Sequence, residues 1–249
     1  MIKFENTEVV GWKAAIRGMR NPMNSWEKSD SYPCAILGEI TDNNSSYRCS
    51  GCKNEFVGRP NCTVVGENDF DLMTRLRNAG TDHRKFMRMI VVYVDILAPL
   101  YWWKEFDTYK VGTVANSCST MHKIHEKEFT IEDFSHEHFF IDEDNYDLTK
   151  RMRVSSCQQL LLGTIAVLNA SRNKYLETKD KTYWWQMIQL LPTSYNQKRT
   201  VMLNYEVLTN IYKSRNNHKL DEWKALCDWI ETLPYSELIT GGVRETNNS

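Results

Sequence analysis

The assignment of a fold to this chain depends on the stretch MRMIVVYVDILAPLYWWKEF, residues 87–106. Its first half is dense in β-branched and aromatic residues and, together with Phe86, predicts a buried strand over residues 86–97. Ala98 and Pro99 end that strand, and Pro99 suits the first turn of a helix over residues 100–106. The adjacent Trp102 and Trp103 are expected to fill a core. We therefore expect a strand that passes directly into a helix.

The sequence on both sides of this stretch predicts mainly helices. Apolar residues at helical spacing predict helices over residues 8–19 and 69–79, and Asn21-Pro22 stops the first of them. Residues 24–66 lie between these helices and are rich in Ser, Asn, Gly and Cys, which predicts a long surface loop or insertion. Residues 129–147 are predicted as a loop with a short helix, and further helices are expected over residues 155–174, 182–191, 200–214 and 220–233.

The composition predicts one domain spanning residues 1–249, since 41% hydrophobic residues in a chain of this length can form a substantial core. The 31 lysines and arginines nearly balance the 32 aspartates and glutamates, so the net charge of -1 gives no bulk attraction to nucleic acid or to an anionic membrane. The sequence has no apolar run long enough for a signal peptide or a membrane span. We therefore expect a cytoplasmic protein.

Two groups of residues resemble the motifs of flavin-dependent thymidylate synthases. That family has Ala-Pro, then Arg-Gln-Trp, then Arg-His-Arg and a Ser-x-Asn-Glu-x-Ser-x-Arg-Tyr stretch. The counterparts here are Ala98-Pro99 with the aromatic helix after it, then Thr108-Tyr109-Lys110, then the loop from Asn116 to Met121. Near the C-terminus, the family pattern is matched by Leu191-Pro192, Lys198-Arg199, Asn204, Asn210, Arg215 and Asp221-Glu222-Trp223. The resemblance covers nearly the whole chain outside residues 24–66 and the acidic stretch after Phe129.

The resemblance implies an α+β fold of the thymidylate synthase-complementing type, with a central, mostly antiparallel sheet flanked by helices. It also implies a homotetramer that binds FAD, a pyrimidine deoxynucleotide (dUMP), methylenetetrahydrofolate and NADPH. In that chemistry the reduced flavin relays a one-carbon unit and a hydride to C5 of the pyrimidine, which converts dUMP to dTMP. The protein supplies orientation and complementary charge.

The resemblance also assigns site residues. Arg215 is the catalytic candidate, because a guanidinium suits two-point recognition of a pyrimidine or a phosphate. The substrate-binding candidates, which include it, are Glu105, Asn116, Cys118, Ser119, Arg199 and Arg215. The cofactor-binding candidates are His83, Arg88, Thr108, Tyr109, Lys110, Asn204 and Asn210.

The departure of Thr108-Tyr109-Lys110 from Arg-His-Arg leaves two alternatives open. One is a nucleotide-binding protein of the same fold that has lost its flavin. The other is an enzyme that makes a different C5-modified pyrimidine nucleotide.

Four cysteines in the predicted insertion have spacing that fits a structural zinc site. Cys49 and Cys52 form a Cys-x-x-Cys motif, and Cys34 and Cys62 flank it, so four thiolates would complete a tetrahedral site. The alternative is a flexible loop with reduced cysteines. A third function, nucleic-acid binding by this loop through Arg48, Lys53 and Arg59, is not favoured by the balanced net charge.

Overall fold

A computed structural model describes residues 2–33, 63–139 and 156–242 of the chain. The fold is α+β. Its strands are β1 (Lys3–Val10), β2 (Tyr32–Pro33), β3 (Thr63–Val64), β4 (Val91–Pro99), β5 (Val114–Ser117) and β6 (Asn196–Asn204). Its helices are α1 (Trp12–Arg20), α2 (Glu67–Asn78), α3 (Leu100–Phe106), α4 (Cys157–Thr178), α5 (Lys181–Leu190), α6 (Tyr205–Arg215), α7 (Asp221–Glu231) and α8 (Glu237–Thr240). Among the described residues, no helix is long and apolar enough to cross a membrane.

Four strands form one sheet in the order β1-β4-β6-β5, and β2 pairs antiparallel with β3 in a separate two-stranded sheet. Strand β4 and the helix that follows Pro99 confirm the prediction made from residues 86–106. Residues 84–89 differ from it, because they form a 3-10 helix before the strand begins at Val91. Alternate residues of β4, from Val92 to Ala98, are buried, whereas Tyr93 is exposed. Trp102 and Trp103 of α3 are buried, as expected.

Two predicted helices begin later than the sequence indicates, because a strand comes first. Residues 8–10 belong to β1, and the left-handed Gly11 (φ 97°) separates this strand from α1. A Cβ on Gly11 would lie 2.0 Å from the carbonyl oxygen of Met89, so only glycine fits there. Residues 200–204 belong to β6, in which Val201 and Leu203 are buried with the period-two spacing of a strand.

The chain divides into two compact units, each assembled from separate segments. The first unit contains Met1–Lys3, Ile96–Thr108 and Asn116–Arg199, and the second contains Phe4–Asp95, Tyr109–Ala115 and Thr200–Ser249. The core of the first unit includes Phe129 and Phe134 packed with Leu161, Leu168 and Met187 from α4 and α5. The prediction of a single domain over residues 1–249 stays a prediction.

The second unit contains a buried ion pair that joins α1 to α2. Arg20 Nε donates to Asp69 Oδ1 at 2.6 Å, and these side chains are only 4% and 0% exposed. Ser29 Oγ, Ser31 Oγ and the Ser31 amide donate to the other carboxylate oxygen at 2.6, 2.6 and 3.2 Å. Burial alone would raise the pKa of Asp69, but the hydrogen bonds from Ser29, Ser31 and Arg20 outweigh it and lower that pKa. Asp69 is therefore the point where α1, α2 and the segment before β2 are joined.

Candidate functional site

Arg215, the last residue of α6, has a guanidinium that lies against two aromatic rings of the second unit. Its Cζ is 4.5 Å from the centroid of the buried Trp223 ring and 5.8 Å from that of Tyr109. Its Nε donates to the Tyr109 hydroxyl at 3.0 Å, and the two rings meet edge to face at 6.0 Å. The cation is therefore oriented by a hydrogen bond and by cation–π contacts. Two residues predicted from the sequence, Tyr109 and Arg215, are brought together here.

The loop after Tyr109 packs against the beginning of α6. A Cβ on Gly112 (φ 79°) would lie 3.0 Å from Asn204 Nδ2 and 3.1 Å from Val207 Cγ2, so a side chain there would push against α6. Asn204 itself is the N-cap of this helix, since its Oδ1 accepts from the Val207 amide at 3.0 Å. Lys110 of the loop is exposed. The loop therefore presents a cation beside a capped helix.

Thr113, in the same loop, was not predicted as a site residue. Its Oγ1 is buried and has no hydrogen-bond partner within the described residues. A buried hydroxyl without a partner costs free energy. The sequence carries no signal for it, because a threonine between Gly112 and Val114 is ordinary in a loop that leads into a strand.

The remaining cofactor candidates of the second unit are on the surface. His83 and Arg88 lie at the start and near the end of the 3-10 helix before β4, and Asn210 lies in α6; all three side chains are exposed. Exposure leaves them accessible to a ligand, but they make none of the contacts that orient Arg215.

In the first unit, Arg199 is the most constrained of the predicted residues. Its Cζ lies 4.2 Å from the centroid of the buried Trp103 ring. Its Nε donates to Gln197 Oε1 at 3.0 Å and its Nη1 to Asp107 Oδ1 at 2.8 Å, and the side chain is 15% exposed. Nη2 has no partner among the described residues. Arg199 is thus a fixed, partly open cation with donors available to an anion.

Backbone contacts connect Cys118 to the strand that carries Arg199. The Cys118 amide donates to the Lys198 carbonyl at 2.9 Å, and Gln197 Nε2 donates to the Cys118 carbonyl at 2.8 Å. The Cys118 thiol is free and exposed. Gln197 therefore contacts both Cys118 and Arg199, and no sequence pattern predicted that it would connect them.

The other predicted residues of the first unit make local contacts. Ser119 Oγ accepts from the amides of Met121 and His122 at 3.2 and 2.9 Å, which stabilises a turn. Thr108 Oγ1 donates to the Glu105 carbonyl at 2.7 Å, and Asn116 lies exposed on β5. These contacts explain the local backbone, and the Asn116 side chain is accessible.

The predicted zinc ligands Cys34, Cys49, Cys52 and Cys62 lie outside the described residues. Within residues 2–33, 63–139 and 156–242, no group of three metal-ligating side chains occurs. The zinc site stays a prediction.

Comparison with solved structures identifies the fold. The structure is similar to that of the flavin-dependent thymidylate synthase ThyX from Helicobacter pylori complexed with FAD and dUMP, with a TM-score of 0.58, 14% identity and coverage of 96% of both chains. A second structure of Helicobacter pylori ThyX with FAD and dUMP gives a TM-score of 0.56 and 14% identity, covering 96% of this chain and 95% of that one. No family model matches the sequence, and no curated protein matches it. The α+β fold predicted from the resemblance is confirmed.

Proposed function

We propose that this chain is a flavin-dependent enzyme that transfers a one-carbon unit to C5 of a deoxyuridine nucleotide, converting dUMP to dTMP with methylenetetrahydrofolate and NADPH. The observation that carries the proposal is the guanidinium of Arg215, oriented by Tyr109 and Trp223 in a chain with the ThyX fold. A cation that is fixed before the ligand arrives loses little entropy on binding. Such a group is suited to orienting a charged, planar substrate.

The loop after Tyr109 fits a phosphate-bearing cofactor such as FAD. Lys110 supplies an exposed cation. Gly112 allows the backbone to turn at positive φ just after Lys110 and Val111. In the proposed reaction, bound flavin would supply the hydride and carry the one-carbon unit. Lys110 would bind its phosphates, and His83, Arg88 and Asn210 offer further contacts.

Arg215 would orient the nucleotide. Its planar donors suit two acceptors at once, either two phosphate oxygens or two acceptor atoms of a pyrimidine edge. Trp223 covers the guanidinium and excludes water from that side, which strengthens a charged hydrogen bond to the ligand. Arg215 would thereby fix the nucleotide relative to the reacting group.

The resemblance also assigns Arg199, in the first unit, to the nucleotide. Asp107 neutralises part of its charge, but the open Nη2 would donate to a phosphate oxygen. Asn116, Ser119 and the backbone near Cys118 would complete the polar surface around it. A homotetramer, which the resemblance implies, and a cytoplasmic location, which the lack of a long apolar run in the sequence predicts, are part of the same proposal.

One observation favours the alternative of a nucleotide-binding protein without flavin. The Tyr109 hydroxyl accepts from Arg215, and the Thr108 hydroxyl donates to the Glu105 carbonyl. Lys110 is then the single charged group that the three positions offer to a cofactor phosphate. The other alternative is an enzyme that makes another C5-modified nucleotide, because Arg215 would orient the substrate of that reaction in the same way.

A product assay tests the proposal and separates these alternatives. The purified chain is incubated with FAD, NADPH, methylenetetrahydrofolate and dUMP, and nucleotides are identified by mass spectrometry. The proposal predicts dTMP formation that is lost in Arg215→Ala and kept in Arg75→Ala, a control at an exposed arginine of α2. A different C5-modified nucleotide in place of dTMP would favour the alternative enzyme. Binding of dUMP without turnover would favour the flavin-free nucleotide-binding protein.

A further inference from the structure

A cavity lies in the second unit, between the C-terminal end of α2, one face of α6 and α8. Its volume is about 400 Å³, and its lining includes three cations, Arg77, Arg84 and Lys213, with the amides of Asn78 and Asn216. Within the described part of the chain, no carboxylate lines it. None of these residues is among those that the resemblance assigns to the nucleotide or the flavin.

The cavity and Arg215 use different faces of α6. Thr209, Tyr212, Lys213 and Asn216 line the cavity and follow the spacing i, i+3, i+4, i+7, which marks one helical face. At 3.6 residues per turn, Arg215 lies about a third of a turn away from the middle of that face. The cavity is therefore separate from the Arg215 site.

Two of the three cations are fixed by the protein. Arg77 donates from Nε to the Leu238 carbonyl at 3.2 Å, from Nη2 to the Ile239 carbonyl at 3.3 Å and from Nη1 to Asn78 Oδ1 at 2.9 Å. One N–H of each terminal nitrogen remains for a ligand. Arg84 pairs through Nε with Glu206 at 2.9 Å, and that carboxylate is 9% exposed. Among the described residues, Glu206 is the only side chain that pairs with Arg84, so both terminal nitrogens remain available. Burial and then the nearby Arg84 cation lower the pKa of Arg77, as expected when two cations lie close together.

The polar groups at the mouth of the cavity are also available. Lys213 is exposed, and neither its ammonium nor the side-chain amide of Asn216 has a partner among the described side chains. Three cations with one compensating carboxylate, Glu206, leave a net charge of about +2, which matches a phosphate monoester near neutral pH. One guanidinium group can donate to two phosphate oxygens at once. A volume of about 400 Å³ leaves room for an organic group attached to the phosphate.

We propose that the cavity lined by Arg77, Arg84, Lys213 and Asn216 binds the phosphate of a small phosphate monoester. Arg84 and Arg77 contact the phosphate oxygens, Asn216 donates to one of them, and Lys213 closes the mouth. This site is independent of flavin and of the proposed one-carbon transfer, and so its test requires neither.

Isothermal titration calorimetry with inorganic phosphate and with ribose 5-phosphate, at constant ionic strength, tests the proposal. We expect both to bind the unmodified chain and Lys213→Gln to weaken binding by about tenfold to a hundredfold. Lys213 is exposed, so this variant should keep the thermal midpoint of the parent. Lys13→Gln, at an exposed lysine of α1 outside the cavity, is the matched control and should bind as the parent does.

Arg215→Ala separates this cavity from the proposed nucleotide site. If phosphate binding survives in Arg215→Ala and weakens in Lys213→Gln, the cavity is the site. The proposal is overturned if neither phosphate binds, if Lys213→Gln and Lys13→Gln behave alike, or if Arg215→Ala alone abolishes binding. Binding of inorganic phosphate without ribose 5-phosphate would overturn the monoester assignment and leave free phosphate as the ligand.

Discussion

Replacing Asp69 by asparagine should destabilise the chain strongly, because it breaks a buried ion pair from one side. Asp69→Asn keeps the size of the side chain but removes the negative charge that faces Arg20, whose side chain is 4% exposed. Removing one partner of a buried pair typically costs about 3–5 kcal/mol, since the other charge is left without compensation. A domain is typically stable by about 5–15 kcal/mol in total, so this loss is a large fraction.

Urea denaturation followed by circular dichroism measures the loss. The matched control is Asp71→Asn in the same helix, where Asp71 and Arg75 form an exposed pair with side chains 67% and 68% exposed. An exposed pair contributes about 0–1 kcal/mol, so the control should unfold almost as the parent does. Equal midpoints for Asp69→Asn and Asp71→Asn would refute the reasoning.

The pH dependence of the stability difference between the parent and Asp69→Asn gives a second check. The folded-state pKa of Asp69 is lowered, so its contribution is complete above the unfolded-state pKa, which is about 4. It is lost as the pH falls through the lower folded-state pKa. The stability difference between the parent and Asp69→Asn should therefore be constant from pH 7 to about pH 5 and shrink below about pH 4. A difference that stays constant at lower pH would contradict the assignment.

Three further predictions concern the proposed site. Tyr109→Phe removes the hydroxyl that accepts from Arg215 and should weaken dUMP binding about tenfold or more in a fluorescence titration, without changing the thermal midpoint; an unchanged affinity would show that the hydroxyl does not position Arg215. Thr113→Val replaces a buried hydroxyl that has no partner within the described chain, so the variant should be equally or more stable in urea denaturation, and a clear loss of stability would contradict this reading. Arg199→Lys keeps the charge but loses the planar contact with Trp103, and should lower dUMP affinity more than Lys104→Arg, a control at an exposed cation of α3.

The central strand and the helix after it could be predicted because their signals are local. The β-branched run before Ala98 and the position of Pro99 specify a strand end and a helix start within a few residues. The same local logic failed at residues 200–204. There, the end of β6, with its buried Val201 and Leu203, is followed without a loop by a helix whose N-cap is Asn204. The apolar residues of the strand and of the helix together have the spacing expected of one longer helix.

The candidate site was predictable only in part, because its contacts join residues that are distant in the sequence. Arg215 and Tyr109 were named from the resemblance, but their mutual contact and the stacking on Trp223 depend on how distant segments pack. The cavity lined by Arg77, Arg84 and Lys213 depends even more on packing, because these residues come from three separate segments. No spacing along the sequence marks such a cluster. Thr113 is identified only by the absence of a partner for its hydroxyl in the part of the chain described.

The visible absorbance spectrum of the purified chain, recorded with and without added FAD and dUMP, tests the proposed function most directly. The account predicts two flavin bands that shift when dUMP is added, and loss of that shift in Arg215→Ala. A colourless protein whose added FAD keeps the spectrum of free flavin would contradict the flavin-dependent function and leave a nucleotide-binding protein with this fold.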